Sequence, residues 1–97
     1  MDLGQAVRAL RIKQQMTQEQ LAERCGMSIN AISMIELGKR IPAKATVEKV
    51  CKAFDIPVSY MLLATIEERD IPEEKRVLYR ALVEPLRDEL LDKTNNE

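Results

Sequence analysis

The sequence predicts an all-α fold of five short helices followed by a further C-terminal helix. Apolar residues recur with a helical period along the chain, and no stretch keeps the two-residue alternation of a strand. Only 3% of the residues are aromatic and none is Trp, so the core has to be built from aliphatic side chains, Met and Ala. With 97 residues, 45% of them hydrophobic, the chain has room for one modest core.

The first two helices have clear boundaries. Apolar spacing predicts the first helix over residues 2–14, with an inner face formed by Leu3, Ala6, Val7 and Leu10. The second helix is predicted to begin at Thr17, because Thr17 and Gln20 have the spacing of a capping box. Gly26 supplies a left-handed residue that ends this helix, and Ser28 is the N-cap of the next. Only Gly26 and Met27 separate the second helix from Ser28, and so short a connection predicts a helix-turn-helix over residues 17–36.

Three more helices complete a predicted domain of residues 1–65. The third runs to about Glu36 and stops at Gly38. The fourth has its apolar residues at i, i+3, i+4 and i+7, namely Val47, Val50, Cys51 and Phe54. The fifth is short, and the inward side chains predicted for it are Val58, Met61 and Leu62.

Residues 66–97 are predicted to be a polar connector and a C-terminal helix. Pro72 suits the first position of that helix, and Pro85 is expected to kink or restart it. The last four residues, 94–97, are expected to fray. The apolar side of this helix is formed by Val77, Leu78, Ala81, Leu82, Leu86 and Leu90.

Composition limits the possible functions. The net charge is −1, but residues 1–65 carry nine basic and six acidic residues, so the body of the chain is mildly basic. Without His, an acidic cluster or a Gly-rich phosphate loop, the sequence predicts no enzyme, no metal and no cofactor. Cys25 and Cys51 are expected to be reduced core thiols. We expect a cytoplasmic protein, since no signal peptide or membrane-spanning segment is evident.

The third helix has an unusual outer face. A helical wheel turns Ile32 and Ile35 inward. The side chains turned outward are an amide, a hydroxyl and two large apolar groups, which belong to Asn30, Ser33, Met34 and Leu37, with Ile29 at the edge. A major groove would accept this face, with Asn30 against adenine and apolar groups against thymine methyls. A protein surface would accept it too. The basic residues just past the helix favour DNA.

The run from Met16 to Pro42 resembles the phage repressor and Cro type of helix-turn-helix, the XRE family. The resemblance covers about residues 3–63 and depends on Thr-Gln-x-x-Leu-Ala at 17–22, the turn Gly26, Ile-Glu-x-Gly-Lys-Arg-x-Pro at 35–42, and Arg11. It implies a lambda-repressor-like DNA-binding domain, commonly a repressor that binds a palindromic operator as a homodimer. The sequence departs from the pattern at Leu37, at Asp55 and in the lack of Arg, Lys and Gln at base-reading positions.

The resemblance also implies residue roles. Arg11 and Glu36 match a structural ion pair. The positions that match base contacts are Ile29, Asn30, Ser33 and Met34. Phosphate contacts are expected from the resemblance, from the free N–H groups at the helix starts and from the basic residues after the third helix. The residues concerned are Thr17, Gln18, Ser28, Lys39, Arg40 and Lys44.

The C-terminal helix leaves several alternatives open. Its apolar residues either pack on the chain's own domain, dimerise, or hold an antagonist protein; the residues predicted for a dimer or partner surface are Val77, Leu78, Leu82, Leu86 and Leu90. The favoured function is a dimeric transcriptional regulator of double-stranded DNA. The alternatives are an antitoxin that also binds its toxin, and a protein-interaction adaptor on the same scaffold.

Overall fold

A computed structural model describes residues 1–91 of the chain and confirms the all-α fold. Five helices come first: α1 (Leu3–Lys13), α2 (Gln18–Cys25), α3 (Ile29–Glu36), α4 (Lys44–Phe54) and α5 (Val58–Thr65). No strand is present in this part of the chain, and none of its helices is long and apolar enough to cross a membrane. The tail for which fraying was predicted, residues 94–97, lies outside the described residues.

A C-terminal helix follows two short 3-10 turns, Glu68–Asp70 and Glu73–Lys75. It consists of an α-helical turn Arg76–Leu78, a π-helical turn Tyr79–Val83 and an α-helix Glu84–Leu91. The expected disturbance at Pro85 takes the form of the π-helical turn Tyr79–Val83, which ends two residues before Pro85. Proline has no N–H for the i→i−4 bond of a regular α-helix. The prediction that Pro72 is the first residue of a helix is wrong. Pro72 is instead the N-cap of the second 3-10 turn.

The predicted helix boundaries have the caps that the sequence indicates. Thr17 accepts a hydrogen bond from the backbone N–H of Gln20, and the Gln20 side chain accepts one from the N–H of Thr17, so the capping box is complete. Gly26 ends α2 in the left-handed conformation, with φ of 67°. Ser28 then caps α3 through the N–H of Ala31. The start of α2, the turn between the two helices and the start of α3 are thus fixed by side-chain caps or by a left-handed glycine.

The core lies where α1 to α5 meet. Its largest fully buried side chains are Leu10, Leu21, Ile32, Ile35, Cys51, Phe54 and Met61. Both cysteines are buried and free, and burial raises the pKa of the Cys25 and Cys51 thiols, which keeps them protonated and unreactive. One inward prediction is wrong: Leu62 is 52% exposed, because Met61 and Ala64 occupy the buried side of α5.

Gly4 lets α1 approach α3 closely. A Cβ atom added at Gly4 would lie 2.1 Å from the carbonyl oxygen of Ile35, which is backbone and cannot move aside like a flexible side chain. The residue is buried at this crossing. Only glycine therefore permits the observed distance between the first helix and the end of α3.

The C-terminal helix is tied to the rest of the domain by polar contacts. The carbonyl oxygen of Ile66 accepts hydrogen bonds from the Tyr79 hydroxyl at 3.1 Å and from Arg87 Nη1 at 3.0 Å. At the far end, Lys13 Nζ donates to the carbonyl oxygen of Leu90 at 2.6 Å. Leu91 joins the core and Leu90 packs against it. The helix consequently lies against α1 and α5.

Candidate nucleic-acid interface

The outer face of α3 is open to solvent. Asn30 is exposed, Ile29 is 47% exposed and Leu37, the C-cap, is 65% exposed, while Ser33 and Met34 are half-buried. Ile32 and Ile35 point into the core on the opposite side. The residues predicted to contact bases are thus side by side on one accessible strip, and no charged side chain interrupts it.

An ion pair fixes α3 against α1. Arg11 Nε donates to Glu36 Oε2 at 2.7 Å, and Arg11 Nη2 donates to Oε1 at 3.1 Å. A third bond runs from Arg11 Nη1 to the carbonyl oxygen of Met16 at 2.7 Å, just before the start of α2. The Glu36 side chain is 2% exposed and that of Arg11 12%. The arrangement is the structural pair that the resemblance implies, and it also reaches the turn before α2.

Gln18 joins this cluster from the first position of α2. Its Nε2 donates to Glu36 Oε1 at 3.1 Å, which uses one of the two hydrogens on that nitrogen. The second hydrogen and the backbone N–H groups of Gln18 and Glu19 have no acceptor among residues 1–91. The start of α2 therefore presents several donors to an anion at the positive end of the helix.

Basic residues flank the other side of the strip. Lys39, Arg40 and Lys44 follow α3, and all three are exposed. None of them forms an ion pair within the part of the chain that the structure describes. Thr17 and Ser28 are also exposed, with their hydroxyl oxygens engaged in caps and their hydroxyl hydrogens available.

One residue near this strip had no role in the sequence analysis. Ile41 is 91% exposed in the loop after α3, next to Arg40 and close to Lys44. The sequence could have indicated Ile41, because it is a β-branched apolar residue that lies between cations in a loop. Exposure of such a side chain to solvent is unfavourable. The loop thus adds an apolar group to the open surface.

The predicted dimer or partner surface is divided by the structure. Val77, Leu78, Leu82 and Leu86 are each more than half exposed, whereas Leu90 is half-buried against the core. Val77, Leu78 and Leu82 do not pack on their own domain, which was one of the alternatives. A groove of about 300 Å³ between α5 and the C-terminal helix is lined by Tyr60, Leu63, Leu86, Glu89 and Leu90.

The fold and the open strip define a helix-turn-helix protein. The sequence profile of the Helix-turn-helix family HTH_3 matches residues 7–61, which is more than half of the chain. The chain belongs to this family, and the resemblance to XRE-type proteins is confirmed.

Several of its relatives are named as repressors. The chain is 46% identical to the HTH-type transcriptional repressor RghR of Bacillus subtilis over 55 residues, 56% of this chain and 41% of RghR. It is 43% identical to the competence pilus inhibition repressor of Acinetobacter baylyi over 63 residues, 65% of this chain and 57% of that protein. It is 32% identical to the immunity repressor protein of Bacillus phage phi105 over 81 residues, 84% of this chain and 54% of that protein. The chain spans about half the length of the curated relatives it matches.

Proposed function

We propose that this protein binds double-stranded DNA sequence-specifically, with α3 in the major groove, and regulates transcription. The observation that carries the proposal is the open, uncharged outer face of α3, beside which lie Lys39, Arg40 and Lys44, cations that form no ion pair within residues 1–91. An α-helix fits a major groove about 12 Å wide, and its exposed side chains then meet the base edges. The named repressors among the relatives support a regulatory role.

In this proposal the contacts divide into two kinds. Asn30 forms a bidentate pair with adenine, Ser33 donates or accepts at a neighbouring base, and Ile29 and Met34 contact apolar base edges. Phosphates are bound on one side by Gln18 and by the backbone amides at the start of α2 that have no acceptor within residues 1–91, and on the other side by Lys39, Arg40 and Lys44. Thr17 and Ser28 add hydroxyl donors to the same backbone contacts. The phosphate contacts fix the orientation of the helix, and the base contacts provide specificity.

The regulator is further proposed to repress its target genes in the cytoplasm as a homodimer on a palindromic operator. It would act by occupying DNA and not by catalysis. The exposed apolar residues Val77, Leu78, Leu82 and Leu86 support a self-association surface, since a wide apolar face on a helix is stable in water only when it is covered. Two-fold symmetry would place the recognition helices about 34 Å apart, one turn of DNA.

The same surface supports a second candidate, in which a different protein covers it. An antitoxin would hold its toxin there, and an adaptor would hold another partner. The homodimer and this second candidate differ in the oligomeric state of the isolated chain. A surface covered by a different protein would leave the isolated chain monomeric.

Selection of bound fragments from random duplex DNA tests the main proposal. We expect enrichment of one palindromic sequence, and a dissociation constant for it that rises steeply with salt as counterions are released. Recovery of no preferred sequence at low salt would contradict sequence-specific binding.

Sedimentation equilibrium tests the homodimer. The full chain is expected to be dimeric, and Leu82→Asp is expected to be monomeric and folded, because Leu82 is 60% exposed. Ile41→Asp, which adds the same charge at an exposed residue outside the C-terminal helix, serves as the control and should stay dimeric. A monomeric full chain would favour the second candidate.

A further inference from the structure

The exposed face of α3 lacks the charged side chains that usually read a G·C pair. Guanine is read in the major groove by Arg or Lys, and cytosine by a carboxylate that accepts from its amino group. Glu36 is the one charged residue of α3, and its side chain is buried and paired with Arg11. The helix therefore offers neither the cationic side chain that most often reads guanine nor the carboxylate that accepts from cytosine.

What α3 does offer suits A·T pairs. Asn30 is exposed and matches the donor and acceptor pattern of adenine. Ile29, next to Asn30, and Leu37, about two turns further along the helix, are large apolar side chains exposed to solvent. Thymine is the base that carries a methyl group in the major groove, so it is the natural partner of an exposed aliphatic side chain.

We propose that this protein recognises thymine methyl groups, with Leu37 packing on them in addition to Ile29, the more exposed of the two apolar residues assigned to base edges above; this rests on the DNA-binding function proposed above. Ile29 and Leu37 are eight positions apart, which is about 12 Å along a helix axis. At about 3.4 Å per base pair, this distance covers three to four steps of the duplex. Leu37 thereby becomes a specificity residue, although it was not among the predicted base contacts, and the expected half-site is A·T-rich with thymines towards both ends.

The charge around the strip favours DNA over a protein as its occupant. Lys39, Arg40 and Lys44 are exposed and unpaired within residues 1–91, so they complement a phosphate backbone. An apolar protein surface laid on the strip would also bury the Asn30 amide and the Ser33 hydroxyl without partners, which is unfavourable. A base edge supplies those partners.

Replacement of thymine by deoxyuridine tests the proposal, because it removes one methyl group and keeps every hydrogen-bonding group. The full chain would be titrated with the duplex recovered by selection, and with versions in which each thymine in turn is replaced. We expect about fourfold weaker binding for each thymine that packs on Ile29 or Leu37, the effect of losing one buried methyl group. Thymines outside the half-sites should tolerate the replacement.

Variants of the protein assign each methyl group to a side chain. In Leu37→Ala, deoxyuridine at the thymine covered by Leu37 should cause no further loss. Leu62→Ala removes a similarly exposed leucine from α5 and should keep the full difference in affinity between thymine and deoxyuridine duplexes. Ile29→Ala gives an independent test at the other end of α3, and thermal unfolding shows that each variant is folded.

The outcomes separate the two proposals. If no duplex is recovered, the proposed DNA-binding function fails, and methyl recognition fails with it. If a duplex binds but tolerates deoxyuridine at every position, methyl recognition is overturned while DNA binding stands. A recovered half-site with G·C pairs opposite Ile29 and Leu37 would likewise overturn methyl recognition and leave DNA binding standing.

Discussion

Gln18 and Glu36 are linked by a hydrogen bond of 3.1 Å between Nε2 and Oε1, which joins the first residue of α2 to the last residue of α3. The same carboxylate oxygen accepts from Arg11, so one buried acid holds the guanidinium of α1 and the amide of α2 together. The proposed phosphate contact and the proposed reading helix are thereby fixed relative to each other. A shift of either helix would break this bond.

Arg11→Ala should lower the free energy of unfolding by about 3–5 kcal/mol, because it leaves the Glu36 carboxylate buried without its counter-charge. Urea denaturation measures the change. Arg8→Ala is the control: Arg8 is exposed on the same helix and forms no ion pair within residues 1–91, so a change below about 0.5 kcal/mol is expected. Similar losses for the two variants would mean that the buried pair contributes little.

Gly4→Ala should also destabilise the fold, by about 3 kcal/mol, since the new methyl group meets the backbone carbonyl of Ile35. Helix propensity alone gives the opposite sign, because alanine favours a helix over glycine by about 1 kcal/mol. The sign of the change in the thermal unfolding midpoint therefore shows whether the clash with Ile35 or the helix propensity of alanine dominates. A stabilised variant would show that α1 and α3 do not need their close approach.

Asp55→Gly should raise the free energy of unfolding by about 0.5–1 kcal/mol. Asp55 ends α4 with φ of 60°, a left-handed conformation that glycine adopts without strain. Glu48→Gly, at an exposed position inside the same helix, is the matched comparison and should lower stability by about 1 kcal/mol. Chemical denaturation of both variants checks the pair, and a loss at residue 55 would contradict the strain argument.

The helix-turn-helix could be predicted from the sequence because its boundaries depend on local chemistry. Thr17 with Gln20, Gly26 and Ser28 determine their own hydrogen bonds or backbone angles within a few residues, so no distant contact is needed to interpret them. The outer face of α3 followed from helical periodicity for the same reason.

The residues that sequence analysis misplaced or did not identify depend on contacts between distant parts of the chain. Leu62 was assigned inward by spacing, but the direction of the α5 core face is set by its packing against α1 and the C-terminal helix. Tyr79, which the sequence analysis did not identify, is buried, and its hydroxyl donates to the carbonyl oxygen of Ile66 across the connector. Gly4 matters through Ile35, which lies in another helix. Periodicity carries no information about such pairs.

Lys39→Ala should weaken binding to every DNA sequence by a similar factor, because the side chain is proposed to contact a phosphate. The slope of log K against log salt should become shallower by about one unit. Fluorescence anisotropy at several salt concentrations measures both effects. A loss confined to the preferred sequence would instead assign Lys39 to base contact.

The central claim is that α3 reads base edges, and the affinity of Asn30→Ala for two duplexes tests it most directly. Dissociation constants would be measured for the selected operator and for a scrambled duplex of equal length at one salt concentration. Loss of the adenine contact should weaken operator binding by about 1–3 kcal/mol and leave scrambled DNA nearly unaffected. An equal loss on both duplexes, or none on either, would contradict the placement of this helix in the major groove.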